Sequence, residues 1–167
     1  MLRPFREGDY DAALALEQDA AAARWVPELP APDGAGVVAF YDACRREGSL
    51  LHLVVAEPAT DAYLGEMMLA FGEHRVAELG CCLAPAARGR GIATDAIVAL
   101  TDWALAELGL GRVQVFVAPE NVEAVRLAER AGFRHEGLLR SYWEHGDERL
   151  DVLVLARVSG DLARDSL

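Results

Sequence analysis

No apolar run in this sequence approaches the roughly 20 residues that cross a bilayer, and its start, MLRPFREGDY, lacks the apolar stretch of a secretory signal. The sequence therefore predicts no membrane span, and the cytoplasm is the expected location. Basic residues are also few: 16 Lys and Arg stand against 27 Asp and Glu, a net charge of −11. Because nucleic-acid phosphates need a basic surface, this balance argues against a nucleic-acid partner and would tolerate or attract a cationic one.

Cysteine and histidine are scarce and poorly spaced for binding a metal. The three cysteines, Cys44, Cys81 and Cys82, show neither zinc-knuckle nor CxxC spacing, and the four histidines are scattered. We therefore predict no metal site. A nucleophilic Cys81 or Cys82 is an alternative, but neighbours on a strand point to opposite faces and no histidine lies nearby in sequence. Packing as reduced thiols is the favoured role.

Apolar residues are abundant, at 53% of the 167 residues, and predict one compact domain over residues 1–167. Hydrophobic periodicity predicts a short first strand, helices at 10–22 and 37–46, strands at 49–57, 62–71 and 75–83, a helix at 94–108, a strand at 112–117, a helix at 122–130, and strands at 135–143 and 149–158. Asp9 is predicted to cap the first helix. The predicted fold class is α/β (α+β): a mixed, mostly antiparallel sheet with helices packed against it and a strand-helix-strand unit at its centre.

The stretch APAARGRGIATDAIVAL joins the strand at 75–83 to the helix at 94–108. A helix start has unpaired N–H groups and a partial positive charge, so it favours an anion. Gly89 and Gly91 would leave those groups accessible, and Arg88 and Arg90 add positive charge, which predicts a phosphate or pyrophosphate ligand. The alternative is a flexible turn with solvated arginines. Neither a P-loop, which needs GK[ST], nor a GxGxxG fingerprint, whose third glycine is replaced by Thr94, fits this stretch.

The same loop, read as RGRGIA over 88–93, resembles the pyrophosphate loop [QR]xxGx[GA] of the Gcn5-related N-acetyltransferases (GNAT). The stretches LRPFREGDYDAALAL, AELGCCLAPAARGRGIATDAIVALTDWAL, PENVEAVRLAERAGFRHEGLLR and LDVLVL extend the resemblance and are similar to the RimJ/RimL branch of that family. Together they cover most of the chain in the family's order. The resemblance implies the GNAT fold, with about seven strands, about four flanking helices and splayed central strands.

The resemblance also implies a site for acetyl-CoA. Its pyrophosphate would be held by main-chain N–H groups of Arg88, Gly89, Arg90, Gly91, Ile92, Ala93 and Thr94. Main-chain groups of Cys81 and Leu83 would pair with the pantetheine arm in the manner of an added strand. Asn121 would hydrogen-bond the cofactor, although its position before Val122 equally predicts a helix cap, and both roles are compatible.

For catalysis, the resemblance points to Glu78 as general base, acting through water. The alternative is an ordinary exposed carboxylate on a strand. Ala124 and Ala128 stand where relatives carry a serine or a tyrosine that serves as general acid. Either another donor such as Tyr142 protonates the departing thiolate, or the thiolate leaves through solvent, which a thiol of pKa about 8.5 permits.

The function implied by the resemblance is transfer of the acetyl group of acetyl-CoA to a primary amine, by direct attack in a ternary complex. The amine would be a protein N-terminus or a small molecule. The alternative is a non-catalytic acyl-CoA-binding sensor or assembly domain. In the family the acceptor lies over the first two helices and the last hairpin, which directs attention to Trp25, Pro27, Tyr142 and Trp143. Such aromatic residues are also common in cores and dimer contacts, which leaves a homodimer open.

Overall fold

The computed structural model describes residues 1–25, 29–146 and 148–162, and these residues form seven strands and five α-helices. The strands are β1 Leu2–Arg3, β2 Leu50–Ala56, β3 Tyr63–Phe71, β4 Val76–Leu83, β5 Arg112–Val117, β6 Arg134–His145 and β7 Glu148–Val158. The helices are α1 Tyr10–Glu17, α2 Gly34–Glu47, α3 Ile92–Ala106, α4 Val122–Arg130 and the single turn α5 Ser159–Leu162. None of the helices in the described ranges is long and apolar enough to cross a membrane.

The strands form one sheet in the order β1-β2-β3-β4-β5-β7-β6. The pairs β1–β2, β2–β3, β5–β7 and β6–β7 are antiparallel, whereas β4 and β5 pair in parallel. This arrangement confirms the predicted mixed, mostly antiparallel sheet and its β4-α3-β5 unit. The register of β4 with β5 comprises three residue pairs, from Val76↔Arg112 to Glu78↔Gln114.

The chain forms two compact units that alternate along the sequence. Unit 1 comprises Met1–Phe71 and Gly80–Ala96, and unit 2 comprises Gly72–Leu79 and Ile97–Leu167. Strand β4 and helix α3 therefore each contribute residues to both units. A single domain over the whole sequence stays a prediction.

In unit 1, α2 packs on β2 and α1 packs on β3. Their shared core contains Phe5, Ala13, Val37, Val54 and Ala56. Ala13 and Val37 lie on helices, Val54 and Ala56 lie two residues apart on β2, and Phe5 follows β1, so the helical and alternating patterns of the sequence converge on this core.

The predicted first helix is wrong at its carboxyl end, and Asp9 does not cap it. Helix α1 stops at Glu17 instead of residue 22, and the side chain of Asp19 accepts a hydrogen bond from the N–H of Ala22, which favours a turn there. The Asp9 carboxylate accepts two hydrogen bonds from the buried Arg3 guanidinium, at 2.7 and 2.8 Å, and one from the N–H of Arg6. Asp9 is thus committed to an ion pair.

Helix α2 begins at Gly34, before the predicted residue 37, because the Asp33 carboxylate accepts the N–H of Gly36 at 2.7 Å as an N-cap. It ends at Glu47, where Gly48 adopts a φ of +69°. Helix α3 lies two residues earlier than predicted at both ends, since it begins directly after Gly91.

In unit 2, β5, β7 and β6 form the sheet beside the first half of β4. Its core includes Val113, Val152, Leu155 and Phe133, all at most 3% exposed. Helix α4 has the predicted bounds, and strands β6 and β7 begin one residue before theirs.

Candidate functional site

The loop between β4 and α3 has the backbone geometry of an anion-binding turn. Gly89 and Gly91 have φ values of +72° and +80°, in the left-handed region that favours glycine. Apart from its chain neighbours, a Cβ atom at either residue would meet no atom of residues 1–25, 29–146 and 148–162 within 4 Å, so the space beside both is open there. The carbonyl of Gly91 accepts the N–H of Asp95 at 3.1 Å, which is the first hydrogen bond of helix α3. The N–H groups of the first turn of α3 lack acceptors within the helix and are available to a ligand.

The two arginines of this loop are engaged with acidic residues of unit 1. Arg88 donates through Nε to the carbonyl of Leu83 at 2.9 Å and through Nη2 to the Asp19 carboxylate at 2.5 Å. Arg90, half exposed, lies 3.5 Å from the Glu57 carboxylate. The charge of Arg88 is therefore balanced locally, and the loop is fastened to the turn after α1 and to the end of β4. Main-chain N–H groups are what the loop offers to an anion.

The cysteines of β4 are protonated thiols at neutral pH. Burial raises the pKa of the Cys81 thiol to about 12. Burial also raises the pKa of Cys82, and this effect outweighs the nearby Arg88, which acts in the opposite direction. Because the thiolate is the nucleophile, neither cysteine is suited to covalent catalysis. Within the described ranges, no group of His, Cys, Asp and Glu is placed to hold a metal ion.

Glu78, the predicted base, lies on β4 within unit 2, where its register partner is Gln114. Its side chain is partly buried, and burial is the cause that raises the pKa of its carboxyl above the ordinary value. A carboxylate whose pKa is raised toward the working pH is better suited to accept a proton than an exposed one. The role itself stays a prediction.

Asn121 caps α4, because its Oδ1 accepts the N–H of Ala124 at 3.2 Å. The cap is thus confirmed, and the cofactor role stays a prediction. Ala128, at one position where relatives carry a hydroxyl, is buried and 4% exposed. That position offers no proton donor.

Tyr142, the candidate acid, lies in an irregular part of β6. The register with β7 shifts between Leu139 and Trp143, and Ser141 has a φ of +52°. Such an irregularity redirects side chains. Tyr142 is 48% exposed, and its ring packs against Phe116 at 5.3 Å between centroids. Its hydroxyl-bearing ring is therefore accessible from solvent.

The predicted site residues thus fall into two groups. Unit 1 contains Trp25, Cys81, Leu83, Arg88, Gly89, Arg90, Gly91, Ile92, Ala93 and Thr94, and unit 2 contains Glu78, Asn121, Tyr142 and Trp143. Pro27 lies outside the described residues.

A cavity of about 300 Å³ in unit 1 was missed by the sequence reasoning. It is lined by residues of α1, α2, the connection between them, and strands β2, β3 and β4: Ala13, Leu16, Glu17, Trp25, Leu29, Pro30, Phe40, Tyr41, Leu50, His52, Glu66, Met67, Met68, Gly80, Cys81 and Cys82. Two carboxylates line it: Glu17 accepts the main-chain N–H of Leu29, whereas Glu66 lies in a polar cluster, where it accepts the Tyr63 hydroxyl at 2.7 Å and contacts His52 Nε2 at 2.8 Å. The Tyr41 ring stacks on His52 at 3.8 Å.

A sequence signal for this cluster exists. His52 interrupts the apolar strand LLHLVVA, and Glu66 interrupts the mostly apolar strand YLGEMMLAF. The register pairs Val54 with Glu66 and His52 with Met68, so His52 and Glu66 are diagonal neighbours on one face. A polar residue in the middle of each of two adjacent apolar strands indicates a buried polar contact.

Comparisons with known proteins give one family. Residues 1–134 match the family model described as an acetyltransferase (GNAT) domain. The chain is 32% identical over 91 residues to the uncharacterized N-acetyltransferase p20 of Bacillus licheniformis, which covers 54% of the chain and 51% of that relative. The chain thus spans about half the length of this relative.

Two solved structures extend the similarity over nearly the whole chain. Spermidine N-acetyltransferase from Vibrio cholerae, in complex with CoA and spermine, superposes with a TM-score of 0.80 at 26% identity, covering 96% of the chain and 95% of its own. Mycobacterium smegmatis RimJ, in complex with CoA-disulfide, gives 0.82 at 27% identity, covering 96% and 82%.

Proposed function

Since the chain belongs to the acetyltransferase (GNAT) domain family, we propose that it transfers the acetyl group of acetyl-CoA to a primary amine. The observation that carries the proposal is the turn at Gly89 and Gly91, with both residues at positive φ beside open space and the start of α3 directly after them. Such a turn would suit a main-chain anion site at the position of the family's signature. The complexes of the two similar structures with CoA and with CoA-disulfide support it.

Most of the residues that would hold acetyl-CoA lie in unit 1, and Asn121, which would hydrogen-bond the cofactor, lies in unit 2. The N–H groups from Arg88 to Thr94 would receive the pyrophosphate, helped by the partial positive charge at the start of α3. Main-chain groups of Cys81 and Leu83 would align the pantetheine arm.

In the chemistry, a neutral amine nitrogen forms a bond to the thioester carbonyl carbon, the carbon–sulfur bond breaks, and the thiolate departs. Glu78 would take the proton from the amine, through water, and its raised pKa suits that role. The thiolate would receive a proton from Tyr142 or from solvent. No enzyme nucleophile is needed, which agrees with the raised thiol pKa values of Cys81 and Cys82.

The test is release of free thiol from acetyl-CoA with a panel of primary amines, with identification of the acetylated amine by mass spectrometry. We expect amine-dependent thiol release above the rate without amine. Calorimetric binding of CoA with no turnover across the panel would instead favour the non-catalytic acyl-CoA sensor, for which the alanines at positions 124 and 128 are the supporting observation.

A further inference from the structure

The cavity of unit 1 contains a carboxylate that no arginine balances. The side chain of Glu66 is 16% exposed, and its partners in the described part of the chain are the Tyr63 hydroxyl and His52. The described residues that line the cavity include no lysine or arginine. A carboxylate that is held by a tyrosine hydroxyl and a histidine ring and faces a mostly apolar cavity attracts a cation more strongly than a carboxylate in water, because the surroundings screen it less.

His52 provides a second polar group with unused capacity. Its side chain is 5% exposed, and Nδ1 is buried without a hydrogen-bond partner in the described structure. When Nε2–H donates to Glu66, the neutral ring has an acceptor at Nδ1. A buried acceptor without a partner is uncommon in a complete structure, so a ligand N–H or a water fits this cluster.

The rest of the wall is apolar and partly open. Phe40 lines the cavity and is 43% exposed. Its ring packs against that of Tyr41, with 5.6 Å between the ring centroids. Trp25 also lines the cavity, and the Arg24 guanidinium lies 5.0 Å from its ring centroid. At about 300 Å³, the cavity is at the small end of the usual range for ligand sites.

We propose that this cavity binds the acceptor, and that the acceptor is a small primary amine with one ammonium group on an apolar body of aromatic size, with Glu66 recognising its charge. This inference rests on the proposed function. The cavity borders β4 at Gly80, Cys81 and Cys82, the strand assigned to the pantetheine arm. A polyamine would bring more ammonium groups than the two carboxylates of the lining can pair, because Glu17 already accepts the main-chain N–H of Leu29, and each charge without a partner is costly to desolvate. The cavity therefore favours a monoamine.

The experiment compares 2-phenylethylamine, its neutral analogue 2-phenylethanol, and spermidine. Calorimetric titration into protein saturated with CoA measures binding without turnover, and steady-state acetylation with acetyl-CoA gives kcat and KM for the two amines. We expect 2-phenylethylamine to bind at least tenfold more tightly than either other compound. It should also have the higher kcat/KM of the two amines.

Two variants with matched controls test the residues. Glu66→Gln should raise the KM for 2-phenylethylamine at least tenfold, the loss expected for a charge-assisted hydrogen bond. Glu73→Gln, at a carboxylate that is 92% exposed, should leave KM unchanged. Phe40→Ala should weaken binding of 2-phenylethylamine at least fivefold, and Trp103→Ala, at a ring of similar exposure, should have no such effect. Thermal melts and CoA titrations establish that each variant is folded.

The outcomes separate the two proposals. If amines are acetylated but spermidine is preferred, or if Glu66→Gln and Phe40→Ala do not affect 2-phenylethylamine, the inference about the acceptor is wrong and the acetyltransferase stands. If CoA binds and no amine is acetylated, the enzymatic proposal fails and the acceptor site fails with it.

Discussion

Replacing Gly91 by alanine tests the loop most directly, because the structure separates backbone strain from loss of ligand space. Gly91 has a φ of +80°, and a Cβ there would meet no protein atom within 4 Å. The cost to the folded state is therefore that of an alanine in the left-handed region, about 1 kcal/mol. For a chain of this length such a cost lowers Tm by about 2–4 °C.

Gly48→Ala is the matched control. Gly48 has a φ of +69°, also has open space at its Cβ position, and ends α2 in the same unit. Both variants should therefore lose similar stability in scanning calorimetry. The two variants should differ in affinity for CoA.

The methyl group of Gly91→Ala would occupy space that the proposal gives to the pyrophosphate. We expect at least a tenfold loss of CoA affinity by titration calorimetry, about 1.4 kcal/mol, and no change for Gly48→Ala. Gly91→Glu, which adds an anion, should lose more. The reasoning is refuted if the folded Gly91→Ala and Gly91→Glu proteins bind CoA as tightly as the parent.

The further predictions concern two carboxylates, those of Glu78 and Asp9. Glu78→Gln should lower kcat by about 10²-fold or more with unchanged CoA affinity; a near-normal rate would assign Glu78 to structure. Burial raises the folded-state pKa of Glu78, so its charge disfavours folding above that pKa, and urea unfolding at pH 7 should show Glu78→Gln to be no less stable than the parent. The apparent pKa of the acidic limb in the pH profile of kcat/KM should also be higher than the ordinary carboxyl pKa of 4.5. Asp9→Ala should destabilise the protein by about 3 kcal/mol, since it removes a partner of the buried Arg3, which retains Asp61; a loss below about 1 kcal/mol by the same unfolding assay would contradict this.

Periodicity predicted most of the fold because each strand and helix buries one face. Strand β5 and helix α4 have the predicted bounds, since the alternation of RVQVFV and the caps around α4 are local signals. The predicted end of α1 was wrong because the Asp19 carboxylate accepts the N–H of Ala22 and favours a turn, and the same carboxylate pairs with Arg88, 69 residues away in sequence. No window around α1 contains that partner.

In the candidate site, too, the local features were predicted from the sequence and the contacts between distant segments were not. The glycine turn was predicted because positive φ and an accessible helix start are properties of a short segment. The contact of His52 with Glu66 was not, because it depends on the register between β2 and β3. Arg88 was expected to supply positive charge to the ligand, whereas its partners, Asp19 and Leu83, come from two other segments.

The engagement of Arg88 has a consequence for the ionic-strength dependence of cofactor binding. With its charge balanced by Asp19, an incoming pyrophosphate meets main-chain dipoles at contact distance and, at longer range, the half-exposed Arg90. At 0.1 M, dissolved salt largely screens the interaction of exposed charges that lie more than about 10 Å apart. It has little effect on direct hydrogen bonds. The affinity for CoA should therefore change only a few-fold between low and physiological salt. Because the same contacts hold the turn in place beforehand, little conformational entropy should be lost when the ligand arrives.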